Sequence, residues 1–150
     1  MKIFISSTFK DMHSERNLMT RYIFPEIMKR SKKLGIDVFP VDLRWGVTST
    51  MPDQQVEACL NEIDKSDIFI GILGNRYGWK PQIEQNSKTM KKLIEKGLSH
   101  LAEQEMSMTE IEMEYGVLAP RMAEKMKNSA FFYIRDHNSF GYFLPPSGMN

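Results

Sequence analysis

The sequence has one cysteine, Cys59, in 150 residues, so it cannot form a framework of internal disulfides and a reducing compartment is favoured. Cys59 falls on the apolar side of a predicted helix, where we expect a small buried hydrophobe. No apolar run approaches the roughly 20 residues that a membrane helix needs. Met1 and Lys2 lead directly into a short apolar run instead of a signal peptide. We therefore expect a soluble, cytoplasmic protein that does not contact membranes.

An excess of charge of one sign is also absent. Twenty Lys and Arg residues balance nineteen Asp and Glu residues, which leaves a net charge of +1 without a concentrated basic face. Nucleic acid is therefore not an expected partner. The three histidines, His13, His100 and His137, are scattered and have no paired spacing. Neither a metal site nor a bound cofactor is expected.

Two glycine motifs for nucleotide binding are incomplete. The stretch from Gly74 to Lys80 is one residue short of a phosphate-binding loop and lacks its Gly-Lys-Ser/Thr ending. Gly71, Gly74 and Gly78 do not fit Gly-x-Gly-x-x-Gly, which disfavours a hydride-transfer enzyme. Ser6 and Ser7 have no motif histidine nearby, so a serine nucleophile has weak support.

Four short apolar runs predict four strands. They cover residues 2–6, 36–41, 68–73 and 130–134 and alternate with helical patterns. The run at 68–73 is continuous, as in a strand with helices over both faces of a parallel sheet, and we interpret it as the central strand. Pro40 places the second strand at the sheet edge. The sequence predicts an α/β fold with a parallel sheet and helices on both faces.

Three helical patterns connect these strands. Thr8 and Asp11 fit an N-terminal cap, and Pro25 is expected to kink or split the helix that follows, before Gly35 ends it. Pro52 opens the next helix, and Ser107 with Glu110 forms a second cap pattern before a helix that Pro120 is expected to bend or end. The apolar stripes of the three helices are Met12, Leu18, Met19, Tyr22, Ile23 and Ile27; Val56, Cys59, Leu60 and Ile63; and Ile111, Tyr115, Leu118 and Met122.

We expect residues 1–150 to form a single domain. Residues 82–105 are rich in Lys, Glu, Gln and Ser, and we interpret them as a polar insertion, helical around 90–102 and solvated on most sides. Residues 137–150 contain Gly and Pro and no periodic segment, which predicts an irregular tail. Because a doubly wound sheet usually has a fifth strand, we expect the chain to be a fragment of a longer protein.

The loops after the first three strands contain the candidate ligand-binding residues. In an open α/β sheet, ligands bind beyond the carboxyl ends of the strands. Arg44 beside Trp45, and Arg76 beside Tyr77 and Trp79, suit an anion and a planar ring. The alternative is that the Trp side chains pack at the rim of the core beside extended Arg side chains.

A carboxylate site is the remaining candidate for catalysis. Glu110 and Glu112 lie near the start of the predicted third helix. Residues two apart point about 200° apart on a helix, so the two cannot face one ligand. Glu112 lies beside the apolar stripe and is the better candidate for a partly buried carboxylate. The alternative is that acidic residues only favour the positive first turn of a helix.

Four segments closely resemble one TIR-like domain family. They are FISSTFKDMHSER at 4–16, VDLRWGV at 41–47, FIGILGNRYGW at 69–79 and SMTEIE at 107–112. The family stands at the amino terminus of NACHT, WD-repeat and TPR proteins, including nephrocystin-3-like, telomerase-associated and bacterial STAND defence proteins. The resemblance implies a flavodoxin-like, TIR-type three-layer sandwich with strand order 2-1-3-4. The implied partners are the NACHT and repeat regions of the parent protein.

TIR relatives either cleave NAD at the nicotinamide–ribose bond or only assemble. In the enzymes, a glutamate at the third helix holds the ribose and stabilises an oxocarbenium-like transition state, a role that falls here to Glu112 or its rival Glu110. The resemblance implies phosphate contacts at the start of the first helix and a Trp over a base. The expected nucleotide-binding residues are Ser6, Ser7, Thr8, Phe9, Arg44, Trp45, Gly74, Arg76, Tyr77 and Trp79. The alternative is a non-enzymatic module that self-associates through its TIR-like surfaces.

Overall fold

The computed structural model describes residues 1–43 and 52–136. Its sheet has four parallel strands in the order β2-β1-β3-β4, which confirms the predicted topology. The strands are β1 (Lys2–Ser7), β2 (Phe39–Val41), β3 (Ile68–Leu73) and β4 (Ala130–Ile134). β2 lies at the sheet edge, as Pro40 predicted, because proline cannot donate to a second neighbour. The predicted tail at 137–150 lies outside the described residues.

Each face of the sheet has its own core. Phe4 of β1 and Phe69 of β3 stack with ring centroids 5.7 Å apart on one face. Ile3, Ile5 and Ile72 pack on the other face, because successive side chains of a strand point to opposite sides. The continuous apolar runs of β1 and β3 are thereby buried on both sides, as expected for strands in the middle of a parallel sheet.

The first connection is a helix in three parts: α1 (His13–Leu18), a π-helical turn (Met19–Ile23) and α2 (Phe24–Lys32). Pro25 stands in the first turn of α2, directly after the π-helical turn, so the predicted break at Pro25 is confirmed. Gly35 has φ +73° and follows the helix end, as predicted.

The predicted apolar stripe of this helix is largely wrong. Met12 is buried and Met19 packs against the core, but Leu18, Tyr22, Ile23 and Ile27 are exposed. The π-helical turn contains Tyr22 and Ile23, and it changes the phase of the side chains that follow it, including Ile27. Phe24 supplies the buried contact instead. The predicted Thr8 cap is also wrong, because α1 begins at His13 and its cap position, Met12, makes no side-chain cap bond.

The second connection is α3 (Pro52–Asp64). Its four predicted apolar residues are all buried: Val56, Cys59, Leu60 and Ile63. This confirms the stripe. α3 thus packs against the core that contains Phe4 and Phe69, which is the larger of the two cores.

The third connection contains α4 (Lys88–Glu95) and α5 (His100–Glu103). The prediction that this segment is solvated on most sides is wrong for four of its side chains, which are buried: Met90, Leu93, Leu98 and Leu101. The three leucines belong to the core that contains Phe4 and Phe69. The segment is amphipathic, with a narrow apolar stripe among many Lys and Glu residues. Its overall composition therefore indicates a solvated segment although the stripe is buried. Whether residues 82–105 are an insertion stays a prediction.

The chain then forms α6 (Met108–Met113), a π-helical turn (Glu114–Leu118) and α7 (Pro120–Met126). Ser107 caps α6 by accepting the Glu110 N–H at 3.2 Å, as predicted. Pro120 ends the helix as expected, and Ile111, Tyr115 and Met122 are buried. Leu118 is 58% exposed, so its place in the stripe was wrong. No helix in the described part of the chain has the length and apolar character to cross a membrane.

Candidate functional site

A cavity of about 550 Å³ opens beyond the carboxyl ends of β1 and β3. Three regions surround it: the segment after β1, helix α3, and the loop after β3 together with α6. Its lining residues are Ser7, Thr8, Phe9, Lys10, Leu43, Gln55, Cys59, Arg76, Gly78, Trp79, Met108, Thr109 and Glu112. This is the edge of the sheet where the sequence predicted a ligand site.

Glu112 of α6 is the carboxylate of this cavity. It is 8% exposed, and its Oε2 accepts a hydrogen bond from Ser6 Oγ at 2.5 Å. Burial raises the pKa of Glu112 from its usual 4.5 to about 7, because the charged form loses its hydration. The Ser6 hydroxyl, the charge of Arg16 and the Cys59 thiol act in the opposite direction. Glu112 can therefore change its protonation state near neutral pH.

Arg16 is a buried cation near this carboxylate and is 1% exposed. Its Nη2 donates to the Ile5 carbonyl at 2.9 Å, and its Nη1 lies 3.5 Å from Asp42 Oδ1. Its guanidinium also lies 4.9 Å from the centroid of the Phe9 ring. Arg16 thus ties α1 to β1 and supports Phe9 at the cavity. Sequence reasoning did not select Arg16, although it ends the first motif of the resemblance.

Cys59 lines the cavity from α3, a position that sequence reasoning missed. It is a buried residue, as expected, but its thiol also interacts with Glu112. Burial and the neighbouring carboxylate raise the pKa of the thiol, so it stays protonated at neutral pH.

The last residue of β1, Ser7, and the segment after it, with Thr8 and Phe9, reach the cavity. Ser6 and Ser7 belong to the strand, and α1 begins only at His13, so the expected position at the start of a helix is wrong for them and for Thr8. Thr8 Oγ1 donates to the Asp11 carboxylate, and Ser7 Oγ donates to the Thr8 carbonyl at 3.1 Å. The N-terminus of α1 therefore does not lie at Ser6, Ser7 or Thr8.

The loop after β3 forms another part of the wall. Gly78 has φ +100°, and a Cβ there would lie 3.0 Å from Thr8 Cγ2. This conformation and this close approach both favour glycine. Trp79 is 49% exposed, and its carbonyl accepts the Met108 N–H at 2.7 Å, which joins the loop to α6. Arg76 of the same loop also lines the cavity.

Glu110, Tyr77 and Gly74 lie elsewhere. They line a separate, more open hollow, where the Tyr77 hydroxyl donates to the Glu110 carboxylate. Glu110 and Glu112 therefore face different hollows, as their spacing on the helix requires. Arg76 lines both hollows, so the loop after β3 separates them.

Two expected site residues, Arg44 and Trp45, lie outside the described residues. Sequence reasoning missed seven residues of the lining: Lys10, Leu43, Gln55, Cys59, Gly78, Met108 and Thr109. Four of them adjoin selected residues: Lys10, Leu43, Gly78 and Thr109. These four and Met108 lie within the four segments of the resemblance, so those segments already contained them. Within residues 1–43 and 52–136, no group of three or more His, Cys, Asp or Glu side chains could hold a metal ion.

The comparisons with known proteins find relatives named for telomerase, for TPR repeats and for NACHT domains with WD repeats, as the resemblance implied. The chain is 46% identical to Telomerase protein component 1 of Rattus norvegicus over 83 residues, which are 54% of the chain and 3% of that protein. It is 37% identical to a TPR repeat-containing protein of Dictyostelium discoideum over 146 residues, which are 91% of the chain and 8% of that protein.

A third relative is NACHT domain- and WD repeat-containing protein 1 of Mus musculus. It is 29% identical over 75 residues, which are 45% of the chain and 5% of that protein. The chain thus spans only a small part of each of these relatives. No solved structure matches the chain. The family model described as domain of unknown function DUF4062 matches residues 2–139, so the chain belongs to the DUF4062 family.

Proposed function

We propose that this cavity binds NAD or a related nucleotide and cleaves the bond between nicotinamide and ribose, with Glu112 as the catalytic carboxylate. The observation that carries the proposal is a buried carboxylate, with a pKa of about 7, that lines a cavity of about 550 Å³ at the ligand-binding edge of a parallel sheet. In this proposal NAD is the substrate, and the protein has no bound cofactor.

The ionised form of Glu112 performs the proposed chemistry. The bond from ribose C1′ to the nicotinamide nitrogen breaks, and its electron pair neutralises the pyridinium, so nicotinamide leaves uncharged. The carboxylate stabilises the positive charge that develops on the ribose. Water then adds to C1′ and loses a proton, which gives ADP-ribose. Ser6 holds Glu112 in place through its hydrogen bond of 2.5 Å.

The rim of the cavity suits the rest of the nucleotide. Lys10 and Arg76 approach from the segments after β1 and β3, and they can bind the diphosphate. Phe9 and Trp79 lie about half exposed beside them, at 50% and 49%, and they can stack on a base. Among the described lining residues, Glu112 is the only acidic side chain. The cavity is therefore cationic at its mouth and acidic only at Glu112.

The relatives support a role within large proteins that carry repeats or a NACHT domain. Their names include TPR repeats, a NACHT domain and WD repeats, and each is far longer than this chain. We propose that the domain acts beside such regions and that oligomerisation of the parent protein switches on the cleavage.

The test is nicotinamide release from NAD by the purified domain, alone and fused to a stable oligomer. Glu112→Gln should abolish release, whereas Glu110→Gln should retain it because Glu110 faces the other hollow. Because the ionised carboxylate is the active form, release should rise with pH through about 7. An oligomer that releases no nicotinamide, or equal release by wild type and Glu112→Gln, would refute the assignment.

The second candidate function is assembly without catalysis. Tyr77 and Trp79 are half exposed on the loop after β3, where they can contact a second copy. In this case Tyr77→Ala with Trp79→Ala reduces the oligomer size measured by light scattering, and no nicotinamide is released. An unchanged size would exclude this surface as the assembly contact.

A further inference from the structure

Asp11 lies at the junction of the two loops that form the mouth of the cavity, although it does not line the cavity itself. One carboxylate oxygen accepts the hydroxyl of Thr8, and the other accepts the Arg76 N–H at 3.4 Å. Thr8 belongs to the segment after β1, and Arg76 belongs to the loop after β3. A single side chain therefore connects two cavity-lining segments that are 65 residues apart.

Gly74 makes this connection possible. A Cβ at Gly74 would overlap the Asp11 carboxylate and would lie 2.6 Å from Met12 Cε. Both obstructing groups are at the ends of flexible side chains, so an added methyl would displace them while the backbone stays in place. The absence of a side chain at Gly74 thus lets Asp11 reach the backbone of the following loop.

Arg135, which follows β4, fixes Asp11 from a third strand. Its Nη2 donates to the Asp11 carbonyl at 2.5 Å, and its Nε donates to Glu15 Oε1 at 2.9 Å. Its own backbone N–H donates to the Leu73 carbonyl at the end of β3, at 2.9 Å. Arg135 therefore links the backbone of Asp11 to the end of β3.

We propose that Asp11 is a positioning residue: it holds residues 74–79 against residues 8–12, and so keeps Arg76 and Trp79 on the cavity rim opposite Phe9 and Lys10. The role in substrate binding rests on the proposed function, whereas the role in loop order does not. Asp11 acts through Arg76 and Thr8, and it has no contact with Glu112 among its described bonds.

Hydrogen exchange tests the loop role without any substrate. Asp11→Ala should speed about tenfold the exchange of the two amides whose hydrogen bonds hold this loop. They are the Arg76 N–H, which donates to Asp11, and the Met108 N–H, which donates to the Trp79 carbonyl. Asp11→Asn keeps an acceptor oxygen and should have a smaller effect. The matched control is Asp67→Ala, since Asp67 accepts the Lys2 N–H at 2.8 Å where β1 begins, at the opposite edge of the sheet. In Asp67→Ala, the exchange rates of the Arg76 and Met108 amides should match those of the wild type.

Gly74→Ala is a second, independent variant. Its methyl displaces the Asp11 carboxylate without removing it, so it should reproduce the faster exchange of the Arg76 and Met108 amides. Unchanged exchange in Asp11→Ala, or equally faster exchange in the Asp67→Ala control, would overturn the proposal. Faster exchange spread evenly over the whole chain would overturn it as well, since that result indicates general destabilisation.

Kinetics test the substrate role. Asp11→Ala should raise the KM for NAD about tenfold and leave kcat unchanged, because rim contacts bind substrate and transition state alike. The midpoint of the pH profile should not move, since Glu112 keeps its surroundings. A fall in kcat at unchanged KM would overturn the positioning role. If the wild-type protein releases no nicotinamide, the proposed function fails, and hydrogen exchange still decides the role of Asp11.

Discussion

Replacing Glu112 by Gln should stabilise the protein at alkaline pH while removing its proposed activity. In the folded state the pKa of Glu112 is about 7, whereas its usual value is 4.5. The unfolded chain therefore ionises at lower pH than the folded protein. Below pH 4.5 both states are protonated, and burial of the side chain carries no charge penalty. Between pH 4.5 and about 7 the unfolded chain ionises while the folded protein keeps its proton, so the free energy of unfolding falls; above 7 both states are ionised and the loss is complete.

The size of this loss of stability follows from the change in the pKa of Glu112. Each pKa unit corresponds to about 1.4 kcal/mol, so the change from 4.5 to about 7 amounts to about 3 kcal/mol in the free energy of unfolding. Glu112 is only 8% exposed, so solvent screening reduces this little. Gln has a similar shape, can accept from Ser6 and cannot ionise. Glu112→Gln should therefore match wild type near pH 4.5 and exceed it by about 3 kcal/mol at pH 8.

Urea denaturation of both proteins at several pH values between 4.5 and 8 measures this difference. Glu110→Gln is the matched control, since Glu110 is on the same helix and accepts a bond from the surface residue Tyr77. A gap between wild type and Glu112→Gln that does not change with pH would refute the reasoning. The reasoning would also be refuted if Glu110→Gln changed the pH dependence of the free energy of unfolding as much as Glu112→Gln does.

Three further results are expected. Leu93→Ala should lower the free energy of unfolding by about 3 kcal/mol, because Leu93 is fully buried in the larger core; urea denaturation measures this, and a surface insertion would give a negligible loss. Ser6→Ala should raise the pKa of Glu112 further, because the Ser6 hydroxyl favours the charged carboxylate. NMR titration of the carboxyl group in both proteins measures this, and an unchanged pKa would contradict the hydrogen bond. Gly78→Ala should destabilise the protein by about 1–2 kcal/mol in a thermal melt, because Gly78 has a φ of +100° and a Cβ there would lie close to Thr8. Gly97→Ala is the control: Gly97 also has a positive φ, but a Cβ there would meet no atom. The difference between the two losses of stability measures the contact with Thr8.

Local sequence predicted the sheet well because its strands have strong local signals. The continuous apolar run at β3 reflects burial on both faces, and Pro40 excluded β2 from the centre. The serine cap at Ser107 and the breaks at Pro25 and Pro120 also depend on adjacent residues, so they could be predicted.

The errors come from residues whose surroundings are distant in the chain. Leu18 and Leu118 fit apolar stripes, but each adjoins or lies within a π-helical turn, and both are exposed. Leu93 sits in a polar segment and is nevertheless buried. A helical pattern gives the phase of each side chain, but it does not say which other element covers that face.

The sequence by itself determined the α/β class, the strand positions, the edge strand and the helix in which the candidate carboxylates lie, because each depends on neighbours within a few residues. Only the tertiary structure decided which carboxylate lines the cavity. Glu112 meets Ser6 from 106 residues away and Cys59 from another helix, and Asp11 reaches across to Arg76. Burial and electrostatic environment arise from such distant neighbours, and they give Glu112 its raised pKa.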